Sequence, residues 1–136
     1  MKKHFKFVLC ILCTLLLIFE MTSCTTLESY AEHIESRYET VHLDKEYLQY
    51  YVYNAPLSIL EDKLDGVKAV LKGTRANNSF ILIIECKSSS VAKDLASDLR
   101  LEIGDSRGIY KECIVARDER FVFLGDEKSV DFAMDK

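Results

Sequence analysis

Five cysteines, three histidines and 22 acidic residues carry most of the reactive chemistry of this 136-residue chain. Cys10 and Cys13 form a C-x-x-C pair, a spacing suited to redox work beside a strand in a cytosolic protein. Both lie inside the apolar run from Phe7 to Phe19, so they are expected to leave with that segment rather than to act. His33 and His42 stand nine residues apart, with no cysteine or carboxylate completing a zinc-ligand spacing. No G-x-S-x-G, Walker or G-x-G-x-x-G sequence occurs. The five glycines sit mostly at element ends, where they cannot build a phosphate cradle. Asp62 with Asp65, or Glu112 with Asp118, are the acid pairs a small carboxylate-dependent enzyme would use. No second group positions either pair, so both are expected on solvated surface. No catalytic residue, metal or cofactor is therefore assigned. Cys24, Cys86 and Cys113 remain.

The surroundings of Cys24 give it a role. Lys2, Lys3 and Lys6 make a basic start with no acid. The run FVLCILCTLLLIF follows, 13 residues with Thr14 as the polar exception. A basic region before an apolar stretch of this length has the anatomy of a secretory signal peptide. It is short of the ~20 residues a spanning helix needs, and Glu20 at its end disfavours an uncleaved anchor. Met21-Thr22-Ser23-Cys24 resembles the lipobox of bacterial lipoproteins. The resemblance covers residues 1–24 alone. It implies diacylglyceryl transfer to the Cys24 thiol, cleavage before Cys24, and an extracytoplasmic protein held to the cell membrane by palmitate-type acyl chains. One chain anchors weakly, and each buried CH2 adds about 0.8 kcal/mol, so several acyl chains hold firmly. An ordinary signal peptide with an incidental cysteine, giving an unanchored secreted protein, is the alternative.

The expected division is thus a signal peptide over residues 1–23 and one small domain over residues 24–136, with an anchor-proximal helical part (24–42) and a body (43–136). Removing residues 1–23 takes the net charge from −4 to −6. An acidic body is repelled by nucleic acid and by anionic headgroups, so no nucleic-acid partner is expected. With 49% hydrophobic and 29% charged residues, the composition is globular and excludes disordered, collagen-like and disulfide-scaffold classes.

The elements follow from periodicity. Leu27, Tyr30, Ala31, Ile34 and Tyr38 make one apolar stripe and predict a helix over 25–40, with Thr25-x-x-Glu28 as its capping box. The strand formers of 47–53 predict a first strand. A helix from Pro56 to Leu64 follows, then strands over 67–74 and 80–87, a helix over 91–103, strands over 109–117 and 120–124, and a short helix after Gly125-Asp126. The expected fold class is α+β. An N-terminal helix precedes a ferredoxin-like βαββαβ sandwich, to which a C-terminal strand and a short helix are added. Right-handed crossovers give the strand order 4-1-3-2, with the fifth strand outside the fourth. Cys86 and Cys113 would then stand two strand spacings apart, about 9.6 Å, beyond the ~7 Å a disulfide spans.

The same pattern leaves one sheet face without internal helices. Tyr47, Tyr51, Tyr53, Val70, Ile81 and Ile83 are expected on it. Either the first helix covers that face, or the tyrosine-bearing patch is an interaction face for an envelope protein, a second copy or a glycan. The sequence thus points to a lipid-anchored accessory or binding protein of the bacterial cell envelope. The membrane is its partner through Cys24, and it is not expected to be an enzyme.

Overall fold

The structure, a computed structural model, describes residues 6, 8, 10, 11, 25–48, 64–105 and 112–136. These residues form an α+β fold in which helices cover both faces of a five-stranded antiparallel sheet. In chain order the elements are α1 (Leu27–Ile34), β1 (Glu39–Leu43), the single turn α2 (Glu46–Leu48), β2 (Val67–Thr74), a 3₁₀ turn (Ala76–Asn78), β3 (Phe80–Cys86), α3 (Ser89–Asp105), β4 (Cys113–Asp118), β5 (Phe121–Asp126) and α4 (Glu127–Met134). The sheet order is β1-β2-β3-β5-β4.

This order corrects the ferredoxin-like expectation. The segment at 80–86 pairs with 121–126 instead of with a strand at 47–53. Tyr47 and Leu48 lie in a helical turn, and the edge strand that precedes them is Glu39–Leu43. Aromatic and β-branched residues favour strands only where a pleated surface receives them. Here β2 takes Glu39–Leu43 as its partner, Glu39 opposite Thr74 and Leu43 opposite Val70. The fifth strand lies inside the fourth, since the β4–β5 hairpin enters the sheet through β5. The expected helix at 56–64 lies outside the described residues apart from Leu64.

α3 packs across β3, β5 and β4 on one face. Its stripe of Ala92, Leu95, Ala96 and Leu99 meets Val67, Val70, Leu82, Ile84, Val122 and Leu124. β3 is buried on both sides from Ile81 to Cys86, as its FILIIEC sequence requires of a central strand. On the opposite face α1 and α4 cover Leu71, Ile81, Ile83, Phe121 and Phe123. Tyr30 anchors α1 there, with its ring edge-on to Phe121 at 5.0 Å and to Phe123 at 5.2 Å. Each such side chain taken fully from water contributes about 1.5–3 kcal/mol, so neither layer is dispensable.

The helix ends are fixed by short side chains. The α1 capping box is Thr26 with Ser29, one residue later than the sequence suggested: Thr26 Oγ1 accepts from the Ser29 amide at 3.2 Å, and Ser29 Oγ accepts from the Thr26 amide at 3.2 Å. Ser88 caps α3 through the Val91 amide at 3.2 Å. Asp126 ends β5 and caps α4, accepting from the Ser129 amide at 3.2 Å and from Ser129 Oγ at 2.7 Å. Because the Ser129 hydroxyl donates to Asp126, the Tyr38 hydroxyl, 2.8 Å away in the buried layer, donates to Ser129. Ser129→Ala strands that phenol and is expected to cost about 2 kcal/mol, whereas Tyr38→Phe leaves Ser129 bonded and should cost about 1 kcal/mol. Urea unfolding of the two variants checks the ranking.

Candidate functional site

The residues named from the sequence are dispersed by the fold. Ile81 and Ile83 do face away from α3, but α1 and α4 bury them completely. Val70 lies on the other face, beneath α3-side residues, and is also completely buried. The reason is the register irregularity between Val67 and Ala69, which brings Val67 and Val70 onto one face and breaks the simple alternation. These three residues therefore form no exposed interaction face. Cys24, Tyr51 and Tyr53 lie outside the described residues.

Cys86 and Cys113 stand two strands apart, as expected, but with β5 between them rather than a strand at 47–53. The register also places them at opposite ends of the sheet. Glu85 pairs with Phe121, and Cys113 pairs with Asp126 at the far end of the same strand, roughly 17 Å along it. No bridge joins them in this fold. Burial, with the Glu85 charge alongside, pushes the Cys86 thiol up to about 11. Burial, with Asp126 and Glu112 nearby, pushes Cys113 up to about 11 as well. Thiols shifted this way are poor nucleophiles at neutral pH.

The histidines have structural partners. His33 stacks on Phe132 at 4.8 Å, with Nε2 2.8 Å from the Phe132 carbonyl, tying α1 to α4. His42 lies on β1 and meets Glu28 at 3.1 Å on the surface. Glu112 and Asp118 flank opposite ends of β4, and Asp118 accepts from the Tyr30 hydroxyl at 3.3 Å. Asp62 is outside the described residues. Among the described residues no group of three histidines, cysteines or acids converges to hold a metal, and no helix is long and apolar enough to cross a membrane.

One named residue, Tyr47, does line a concavity. A groove of about 540 Å³ lies between α2, the end of β2, the 3₁₀ turn and the start of β3. Its walls are Tyr47, Lys72, Thr74, Arg75, Asn78, Ser79 and Phe80. Two facts of local structure make it. The chain turns upward at α2, which brings Tyr47 over the sheet. Asn77 and Asn78 then adopt positive φ, 74° and 62°, a conformation asparagine tolerates better than most side chains, so the β2–β3 connection folds back as a tight wall. Lys72 crosses the groove and donates to the Tyr47 hydroxyl at 3.0 Å. Its ammonium stands 5.2 Å from the Tyr47 ring centre, within cation–π range.

A simple period-two alternation along 67–74 puts Lys72 in the same phase as Lys68, which is exposed. The register irregularity between Val67 and Ala69 separates them. Lys72 falls two residues after buried Val70, on the face that otherwise carries core side chains. A lysine at an apolar phase marks a place where the core stops and something polar must be met.

A second concavity, about 510 Å³, gathers Asp65, Asp94 and Asp98 around Gly66 and Lys87. It is an acidic surface hollow beside α3, completed by Val91 and Leu95. The chain has no match among protein-family models, among curated proteins or among solved structures.

Proposed function

We propose that this chain is a lipid-anchored, extracytoplasmic binding or accessory protein of the bacterial cell envelope. The observation that carries the reading is the order of residues 2–24: lysines, a 13-residue apolar run, then Thr22-Ser23-Cys24. The start of the folded body supports it. Thr26 already caps α1, so a single residue, Thr25, separates the domain from Cys24. Thr25 is itself gripped, because the Arg120 guanidinium donates to its carbonyl. Arg120 is held in turn by Glu85 Oε1 at 3.4 Å and by the Phe121 ring at 4.7 Å, while Lys68 meets the same carboxylate oxygen at 3.5 Å. A body clasped this close to an acylated residue would sit directly over the membrane rather than on a long leash.

Intact mass of the protein extracted from membranes tests the reading. The expected species begins at Cys24 and carries diacylglyceryl mass. Cys24→Ala should abolish that mass and move the protein out of the membrane fraction. A full-length, unacylated species in the wild type would overturn the reading and make the apolar run a retained anchor.

A further inference from the structure

We propose that the Tyr47–Lys72–Arg75 groove is a binding site for a small oxyanion, a carboxylate or phosphate carried on a planar or apolar group. The proposal gives a ligand class to the binding reading above, and it does not depend on the lipid anchor.

The charge balance is the first argument. The chain is acidic overall, yet the two cations of this groove lack an acidic partner among the described residues. Lys72 has the neutral Tyr47 phenol as its partner. The contact that fixes the Arg75 backbone is its amide donating to the Ser79 carbonyl at 2.9 Å, which leaves its guanidinium available. Arg75 also borders a neighbouring hollow with Glu35 and Glu39, but among the described residues neither acid forms an ion pair with Arg75 or Lys72. Elsewhere the half-buried cation Arg120 has a carboxylate, Glu85, against it. A partly desolvated ammonium without a counter-charge is unfavourable, and an anion in the groove removes that cost.

Placement is the second argument. Lys72 does not extend into open water. Tyr47 holds its ammonium across a concavity whose aromatic walls, Tyr47 and Phe80, pack against the core cluster that includes Val70 and Leu82. The surrounding donors suit an oxyanion. Arg75 presents a planar fork of N–H groups, matched to two oxygens of a carboxylate or phosphate. The Thr74 and Ser79 hydroxyls and the Asn78 amide add neutral donors along the same wall. Tyr47 and Phe80 supply ring surface, and Val41, opposite Lys72 on β1, exposes apolar area on the same face. Charge at one end and rings at the other describe a pocket for an amphiphilic anion rather than for a free inorganic ion.

Isothermal titration of the protein in the form its own cells process it to, purified in detergent, tests this with four probes: phenyl phosphate, benzoate, phenol and inorganic phosphate. The expected result is saturable one-site binding of phenyl phosphate or benzoate. Phenol and inorganic phosphate should each bind at least about tenfold more weakly, a difference of ~1.4 kcal/mol. Which aromatic anion binds more tightly separates a phosphate from a carboxylate ligand. Lys72→Gln and Arg75→Gln should each weaken that binding about tenfold or more, with unchanged thermal unfolding. Arg75 is exposed, so its variant carries the test even if the Lys72 variant folds poorly. Three outcomes overturn the proposal: no anion binding up to about 10 mM, tenfold above a dissociation constant of ~1 mM; phenol binding as tightly as the anions; or Arg75→Gln binding like wild type. A Cys24→Ala protein that stays unacylated and still binds phenyl phosphate supports the groove while deciding the anchor separately.

Discussion

Gly125→Ala is expected to destabilise the protein by about 3 kcal/mol or more, the upper end for inserting one methyl into a packed interior. For a domain of this size that lowers the unfolding temperature by more than about 10 °C. Gly125 lies within β5 and pairs with Ile81 on β3. A Cβ there would stand 2.4 Å from the Phe80 carbonyl oxygen and 3.2 Å from the Ile81 Cα. Both are backbone atoms of the neighbouring strand, so no rotamer change relieves the contact, and β3 and β5 must separate at the centre of the sheet. Gly66→Ala is the matched control. Its Cβ would also come within 2.4 Å of another atom, but that atom is Cγ1 of the Val91 side chain. Val91 is stiff at χ1 in its helix, but a surface-side valine can shift where paired backbone cannot, so the expected cost is about 1–2 kcal/mol, below that of Gly125→Ala. Urea unfolding of both variants measures the difference. Equal costs would mean that β3 and β5 are not held at the spacing described.

The contrast between these glycines shows what was legible in the sequence. The sequence marks Gly125 as a strand breaker next to a helix cap, and Asp126 does cap α4. That Gly125 is instead a strand residue depends on β3 lying against it, which no local pattern states. The same division holds elsewhere. The stripes Leu27-Tyr30-Ala31-Ile34 and Ala92-Leu95-Ala96-Leu99 appear as helices with the expected faces buried, because periodicity is local, but the first helix ends at Ile34 rather than at 40, so Tyr38 lies beyond it and 39–43 is strand. The continuous apolar run of β3 announces a central strand for the same reason. Strand order is a matter of which distant segments meet. The aromatic density of 47–53 outweighed the polar, edge-type strand Glu39–Leu43, and every later neighbour in the expected order moved with that choice. The groove was half legible. Tyr47 was named from its residue type, but the meaning of Lys72 depended on the irregularity between Val67 and Ala69, which shifts the phase of β2 by one residue. Arg75 carries no sequence signal that separates it from an ordinary loop cation.

Alkaline pH should unfold the protein over a range where most of its carboxylate chemistry is silent, and the cause is three neutral acids, two of them buried and the third, Cys113, half-buried. Cys86 is fully buried and its thiol is pushed up to about 11, chiefly by burial and then by the Glu85 charge. Cys113 is pushed up to about 11 by burial and by Asp126 and Glu112. Tyr30, buried between α1 and β5, is pushed up to about 12 by burial, by the charge of Asp118, and by the hydrogen bond it donates to that carboxylate. In each case the folded value lies above the unfolded one, so between the two the folded state holds more protons. Stability therefore falls as pH rises. It is fully present below pH 9, the ordinary thiol value, and is lost through about 11 for the cysteines; for Tyr30 the window runs from 10 to about 12. Within its window each group adds a slope of about 1.4 kcal/mol per pH unit. Urea unfolding under reducing conditions at intervals from pH 8 to 11 should show this decline. Cys86→Ala should make it shallower by about that one-group slope, even though the lost sulfur lowers stability at every pH. The slope isolates titration from packing, because a cavity costs the same at pH 8 as at pH 10. Parallel curves for wild type and Cys86→Ala would show that the thiol ionises as readily in the folded state as in the unfolded one. That would contradict its place under α3 at the end of the central strand. Asp118→Asn offers the complementary check at Tyr30, since removing that charge lowers the folded phenol's value and narrows the upper window from above.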